Sequence, residues 1–109
     1  MPTTPQDWRV TAAEEARHAM TELAVALDET ADPGSPVPSM ADVLAHLWRA
    51  AQAAHAAVGA LVTAEVRAGM AWEEVAGALG FAGPDEARRA MTDAMAAGDR
   101  RLHERLPHS

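Results

Sequence analysis

Residues 70–91 read MAWEEVAGALGFAGPDEARRAM, and the fold follows from how this stretch divides. Trp72, Val75, Ala76 and Leu79 stand at i, i+3, i+4 and i+7, which lays one apolar stripe along a short helix. Gly80 falls where a helix ends on a left-handed residue, a conformation that costs nothing sterically without a Cβ. Phe81 is placed to pack back under the turn. Pro84 suits the first position of a second helix, where its missing N–H would have had no partner, and Asp85 and Glu86 then lie at the positive helix end. The spacing predicts helices over 70–80 and 84–106, joined by a tight turn.

Short helix, turn and second helix together make a helix-turn-helix. The first half resembles the bacterial helix-turn-helix DNA-binding family, in the variant written G-x-x-W-x-E-[IV]-A-x-A-L-G. Gly69, Trp72, Glu74, Val75, Ala76, Ala78, Leu79 and Gly80 carry the resemblance, over about a fifth of the chain. The four-residue step from Ala76 to Gly80 is the one by which that family packs its first helix against the turn. The second half departs from the pattern, because Glu86 stands where the family buries an aliphatic residue or alanine. The apolar residues come instead at Ala87, Ala90 and Met91. One extra turn residue, within Ala82-Gly83, would restore the packing and re-aim the second helix.

The resemblance implies duplex DNA as partner, with the second helix entering the major groove. If Ala87 and Met91 point inward, Asp85, Arg88, Arg89, Thr92 and Ala96 point outward. Arg88 or Arg89 has the fork that pairs with guanine O6 and N7, and Thr92 suits a phosphate or a thymine methyl. Asp85 and Glu86 oppose this, since they occupy the helix terminus that would otherwise attract phosphate. The plain alternative is a surface helix on which Glu86, Arg88 and Arg89 pair with helical neighbours.

Upstream, Ala31 to Pro38 (ADPGSPVP) holds three prolines and a glycine, which ends one helix before another begins. The second helix is expected over 39–68, capped by Ser39. Met40, Leu44, Leu47, Ala51, Ala54, Val58 and Leu61 repeat with alternating steps of four and three, the spacing of a packed seam. Its length, about 44 Å, exceeds that of the first helix, expected over 7–30, so part of the seam is left uncovered by that helix. In the first helix Ala13, Ala16, Met20, Leu23 and Leu27 form the corresponding stripe. Thr11 and Glu14 have capping-box spacing, and Trp8 or Val10 is placed to staple the helix entry. Residues 1–6 are expected to fray. The overall expectation is an all-α bundle in one domain: a long antiparallel helix pair, then the helix-turn-helix with an extended last helix, associating as a homodimer.

Composition agrees with the helical reading. Apolar residues make up 49% of the 109, and about a quarter of the chain is alanine, which favours helix and close approach but buries little area. The larger apolar side chains are therefore expected at the helix seams, with Trp48 and Trp72 filling the junction between long helix and motif. No stretch alternates with period two, so no sheet is expected.

The net charge of −7 argues against generic polyanion binding, and every basic side chain is arginine. The charge is uneven: residues 1–59 carry −5 and residues 60–109 carry −2, while four acidic and five basic residues follow from Glu86 onward. DNA binding rests on that C-terminal arginine cluster. Overall acidity favours the other reading, an acidic helical adaptor that binds a protein partner and keeps the motif as scaffold.

Other chemistry is sparse. Without cysteine there is no disulfide, thiol nucleophile or cysteine-based zinc site. The N-terminus lacks the basic and apolar regions of a secretory signal, and no stretch approaches the ~18 apolar residues of a membrane span, so a soluble cytoplasmic protein is expected. Glu15 and His18 have the Glu-x-x-His spacing of carboxylate-bridged metal bundles, but the only comparable pair, Asp42 and His46, is spaced i, i+4. No metal or cofactor is expected. The serines sit at a loop, a cap and the terminus, and adjacent glutamates diverge around a helix, so no enzyme is expected. A small-molecule pocket lined by Trp48, Met91 and Met95 is a minor alternative to plain core packing.

Overall fold

The computed structural model describes residues 3–31 and 40–106. They form an all-α structure with α1 Pro5–Ala31, α2 Met40–Arg67, α3 Trp72–Leu79 and α4 Pro84–Arg105. Ser39 and the proline-rich stretch 32–39 lie outside the described residues. Among the described residues no helix is long and apolar enough to cross a membrane.

The start of α1 corrects two expectations. Residues 3–6 are not frayed: Thr4 precedes the helix, Pro5 occupies its first turn, and the Asp7 carboxylate accepts from the Thr4 backbone N–H at 2.8 Å and the Thr4 hydroxyl at 3.1 Å. A carboxylate reaching back to an orphan N–H is the capping function assigned from sequence to Glu14. Thr11 is therefore inside the helix and buried, its hydroxyl donating to the Asp7 carbonyl at 2.9 Å.

α1 and α2 lie antiparallel. Arg9 pairs with Glu65 at 2.7 Å near one end, and Glu22 with His46 at 2.6 Å toward the other. The faces that meet are made of small residues: Ala12, Ala19 and Ala26 on α1, and Ala50, Ala53, Ala60 and Ala64 on α2 are all buried. Trp8, 2% exposed, is the largest buried side chain and packs with Ala12, Ala60, Ala64 and Leu102. It is a core residue rather than a staple. Val10 is exposed.

The expected seams are turned the other way. Met20, Leu23, Leu27, Met40, Leu44, Leu47, Val58 and Leu61 are all exposed, Leu44 by 65%. Ala13, Ala16, Ala51 and Ala54 are exposed with them. Alanine lets two helix axes come close, and the wider residues that would hold them apart rotate to the outside. Trp48, also 65% exposed, is likewise not the core residue expected.

α4 covers the opposite side of this pair. Gly59 and Gly98 are buried at the α2–α4 crossing, where a Cβ on Gly98 would lie 2.5 Å from the Ala60 backbone nitrogen. The C-terminal end of α4 is tied to the start of α1: Arg105 Nε donates to the Thr11 hydroxyl at 3.0 Å and Nη2 to the Asp7 carbonyl at 3.2 Å. The result is a slab with extents of 51 × 41 × 16 Å.

Candidate functional site

The α3–turn–α4 unit is set by its two ends. α2 stops at Gly69, φ 111°, where Met70 N–H reaches the Glu65 carbonyl at 2.8 Å and Gly69 N–H the Val66 carbonyl at 3.1 Å. This crossed pair of bonds satisfies carbonyls left open at the helix end and reverses the chain into α3. α3 ends the same way: Gly80 is left-handed at φ 80°, ψ 22°, and Phe81 N–H donates to the Ala76 carbonyl at 2.9 Å. Phe81 then packs against the cluster of Val62, Val75, Ala76 and Ala87, as the sequence suggests.

Of the residues expected to support the motif, Val75 and Ala76 are buried and Trp72 is half-buried against the same cluster. Leu79 is 43% exposed and corrects the expected stripe. The left-handed turn at Gly80 brings Phe81 to the cluster instead. Ala87, fully buried, takes the inward place that Glu86 would hold in the unlengthened pattern, and Met91 and Met95 follow it on the same side.

Glu86 has another role. Its Oε2 accepts from Ala82 N–H at 2.9 Å, closing the turn onto the start of α4. Pro84 occupies the first turn of α4, and Gly83 before it is extended. With Asp85 and Glu86 in the first turn, the positive end of α4 already carries two carboxylates.

Arg88, Arg89 and Thr92 are all exposed on the first turns of α4, on the side away from Ala87. The Arg88 guanidinium lies over the Trp72 ring, 5.5 Å from its centroid, so it is held beside α3. Arg89 makes no ion pair with a described residue. Thr92 donates its hydroxyl to the Arg88 carbonyl at 3.0 Å, which occupies the one proton it could give a phosphate and leaves its methyl group outward. Glu73, Glu74, Asp85 and Asp93 are exposed on the same unit.

The other sequence candidates separate. Trp48 lines a shallow groove with Ala51, Gln52 and His55, whereas Met91 and Met95 pack with Val62 and Val75, so the three do not share a pocket. A polar cleft of about 270 Å³ instead opens between α2 and α4, lined by Gln52, His55, Ala56, Ala97, Arg100, Arg101 and Glu104. Glu15 is not joined to His18. Glu22 is, with His18 Nε2 at 3.4 Å from Oε1 and His46 Nδ1 at 2.6 Å from Oε2. The two rings address different oxygens of one carboxylate rather than a common point, and among the described residues no group of three such side chains is arranged to hold a metal. The Nδ1–H bond from His46 holds the Glu22 carboxyl below the usual carboxylate range, against the effect of its partial desolvation. Sequence spacing missed this trio because one member comes from the facing helix.

Comparison with models of known protein families, with characterised proteins and with solved structures finds no match to this chain.

Proposed function

We propose that the protein is a small cytoplasmic DNA-binding regulator of helix-turn-helix type, in which α4 presents Arg88, Arg89 and Thr92 to a major groove. The observation that carries this reading is the rotation of α4. Ala87 is fully buried and Met91 is turned to the cluster, so Arg88, Arg89 and Thr92 are left together on the outer side of its first turns. Arg89 is the leading candidate for a bidentate contact with guanine O6 and N7. Arg88 is oriented by Trp72 for a base or a neighbouring phosphate. Thr92 contributes its methyl group.

A second reading has its own observation. Glu73, Glu74, Asp85, Glu86 and Asp93 are all exposed around those two arginines, which gives the face an acidic balance. Phosphate contact requires the opposite sign. On this reading the unit is a scaffold, and the face binds a basic surface of another protein.

The deciding experiment selects from a pool of random duplex DNA with purified protein at low and moderate salt. An Arg88→Ala/Arg89→Ala variant is the control. Enrichment of a defined sequence, lost in the variant, supports the regulator. Weak binding that salt removes equally for all sequences rejects it in favour of the protein-binding reading.

A further inference from the structure

We propose that the exposed apolar side of the α1–α2 pair is the interface of a homodimer, in which a second copy of the chain seats on the first and completes a four-helix layer. This stands apart from the DNA reading and does not depend on it.

The two stripes share one side of the slab. Ala13 and Ala16 of α1 line a groove with Val58 and Leu61 of α2 at one end. Leu23 of α1 and Leu47 of α2 line another toward the opposite end. Between them run Met20, Ala51 and Ala54, all exposed. Arg9, paired with Glu65 at 2.7 Å, lines the end of the first groove. Beyond it, from Ala13 to Leu27 and from Met40 to Leu61, the two stripes hold no charged residue. α4 packs on the other side, where Gly59 and Gly98 are buried.

Area and shape both describe a chain more open than a compact monomer of its mass. The chain exposes 7030 Å². A compact monomer of this mass is expected to expose about 5,800 Å². The excess of roughly 1,200 Å² exceeds the ~800 Å² that each partner contributes to a standard interface. The radius of gyration, 16.5 Å, is likewise above the ~13 Å of a compact domain this long.

Three features favour a second copy over a different protein. The α2 stripe keeps its alternating four- and three-residue steps from Met40 to Leu61, about 31 Å, which calls for a facing helix of similar length. α1 and α2 are such helices and carry matching stripes. The face also combines alanine-lined grooves with leucine and methionine ridges, so that two copies related by a two-fold axis can place ridge in groove on both sides. Finally, the one charged residue lining the two grooves, Arg9, is already paired with Glu65 of its own chain, which leaves little for a partner of complementary charge to recognise.

Sedimentation equilibrium of the full chain across a wide concentration range tests this. The expected result is a species of twice the chain mass. Leu44→Glu/Leu61→Glu should raise its dissociation constant about 100-fold or more, because two buried leucines are lost from each partner. Ala90→Glu/Ala96→Glu, at exposed positions on α4, should leave it unchanged. Circular dichroism checks that the variants keep their helix. As a measurement that needs no disruptive variant, a nitroxide on Ala54→Cys should lose mobility as concentration rises, while one on Ala96→Cys should not. A monomer at every concentration, a dimer that survives Leu44→Glu/Leu61→Glu, or a label on residue 54 that stays mobile overturns the proposal.

Discussion

Gly59 and Ala94 meet so closely that a Cβ on Gly59 would stand 1.6 Å from the Ala94 carbonyl oxygen. The obstacle is helix backbone, which cannot swing aside as a side chain would. Gly59→Ala gains about 1 kcal/mol of helix propensity but has to push α4 away from α2. The net effect expected is a loss of about 3 kcal/mol, read as a lower denaturation midpoint, and Gly98→Ala should behave alike. A variant as stable as the parent would show that the two helices are not in contact at these glycines.

The glycines of the turn region should respond in opposite directions. Gly80 is left-handed, so Gly80→Ala is expected to cost about 1 kcal/mol. Gly77 lies inside α3, and a Cβ there would meet nothing within 4 Å. Gly77→Ala should therefore stabilise by up to about 1 kcal/mol. Thermal melts of the two variants give the comparison, and equal signs would contradict the turn geometry.

Trp8 anchors the junction of α1, α2 and α4, packed on Leu102 with the Arg67 guanidinium 4.5 Å from its ring centroid. Trp8→Ala is expected to cost about 3–5 kcal/mol and Leu102→Ala about 2–5 kcal/mol. Val10→Ala, on the exposed side, should change stability by less than about 0.5 kcal/mol. Comparable losses at Trp8 and Val10 would mean that α1 is rotated.

Acid should loosen the α1–α2 pair. The Glu22 carboxyl is lowered first by the His46 hydrogen bond, and the Glu65 carboxyl first by the Arg9 hydrogen bond. A carboxyl lowered in the folded state stabilises it fully above the unfolded value of about 4.3, and that contribution is lost as pH falls through the folded value. Glu22→Gln/Glu65→Gln should therefore flatten the dependence of melting temperature on pH below about 5. An unchanged slope would show that neither pair forms in solution.

On the DNA reading, charge at the start of α4 tunes affinity. Glu86→Gln keeps an acceptor for Ala82 N–H and removes one negative charge, so affinity should rise about two- to fivefold. Arg89→Ala should weaken binding about tenfold or more. The effect should exceed that of Arg88→Ala, since Arg88 is shared with Trp72. Gel-shift titrations at fixed salt read all three, and the reverse order for the arginines would reassign the contact.

Local rules made much of this chain legible. Helix type, the left-handed end at Gly80, the proline at the head of α4 and the burial of Ala87 all follow from residues within a few positions of one another. Other features lay across the chain. The Glu22–His46 pair and the Arg105 bonds to Thr11 and Asp7 join residues far apart in sequence, and spacing along one helix carries no record of them. The cap at Thr4 was masked by a second Thr-x-x-acid pattern, Thr11 with Glu14, that the tertiary burial of Thr11 excludes.

The division is sharpest on α1 and α2. Periodicity by itself determined that each helix has an apolar stripe and which residues form it. It did not determine what the stripe faces. Each helix also carries a row of alanines, and a row that lets two axes approach closely competes with a stripe of larger side chains for the intramolecular contact. Only the tertiary structure decided between them: packing α4 through Gly59 and Gly98 and pinning it with Arg105 commits the alanine faces to the interior. The leucines and methionines that looked like a core are left on the outside.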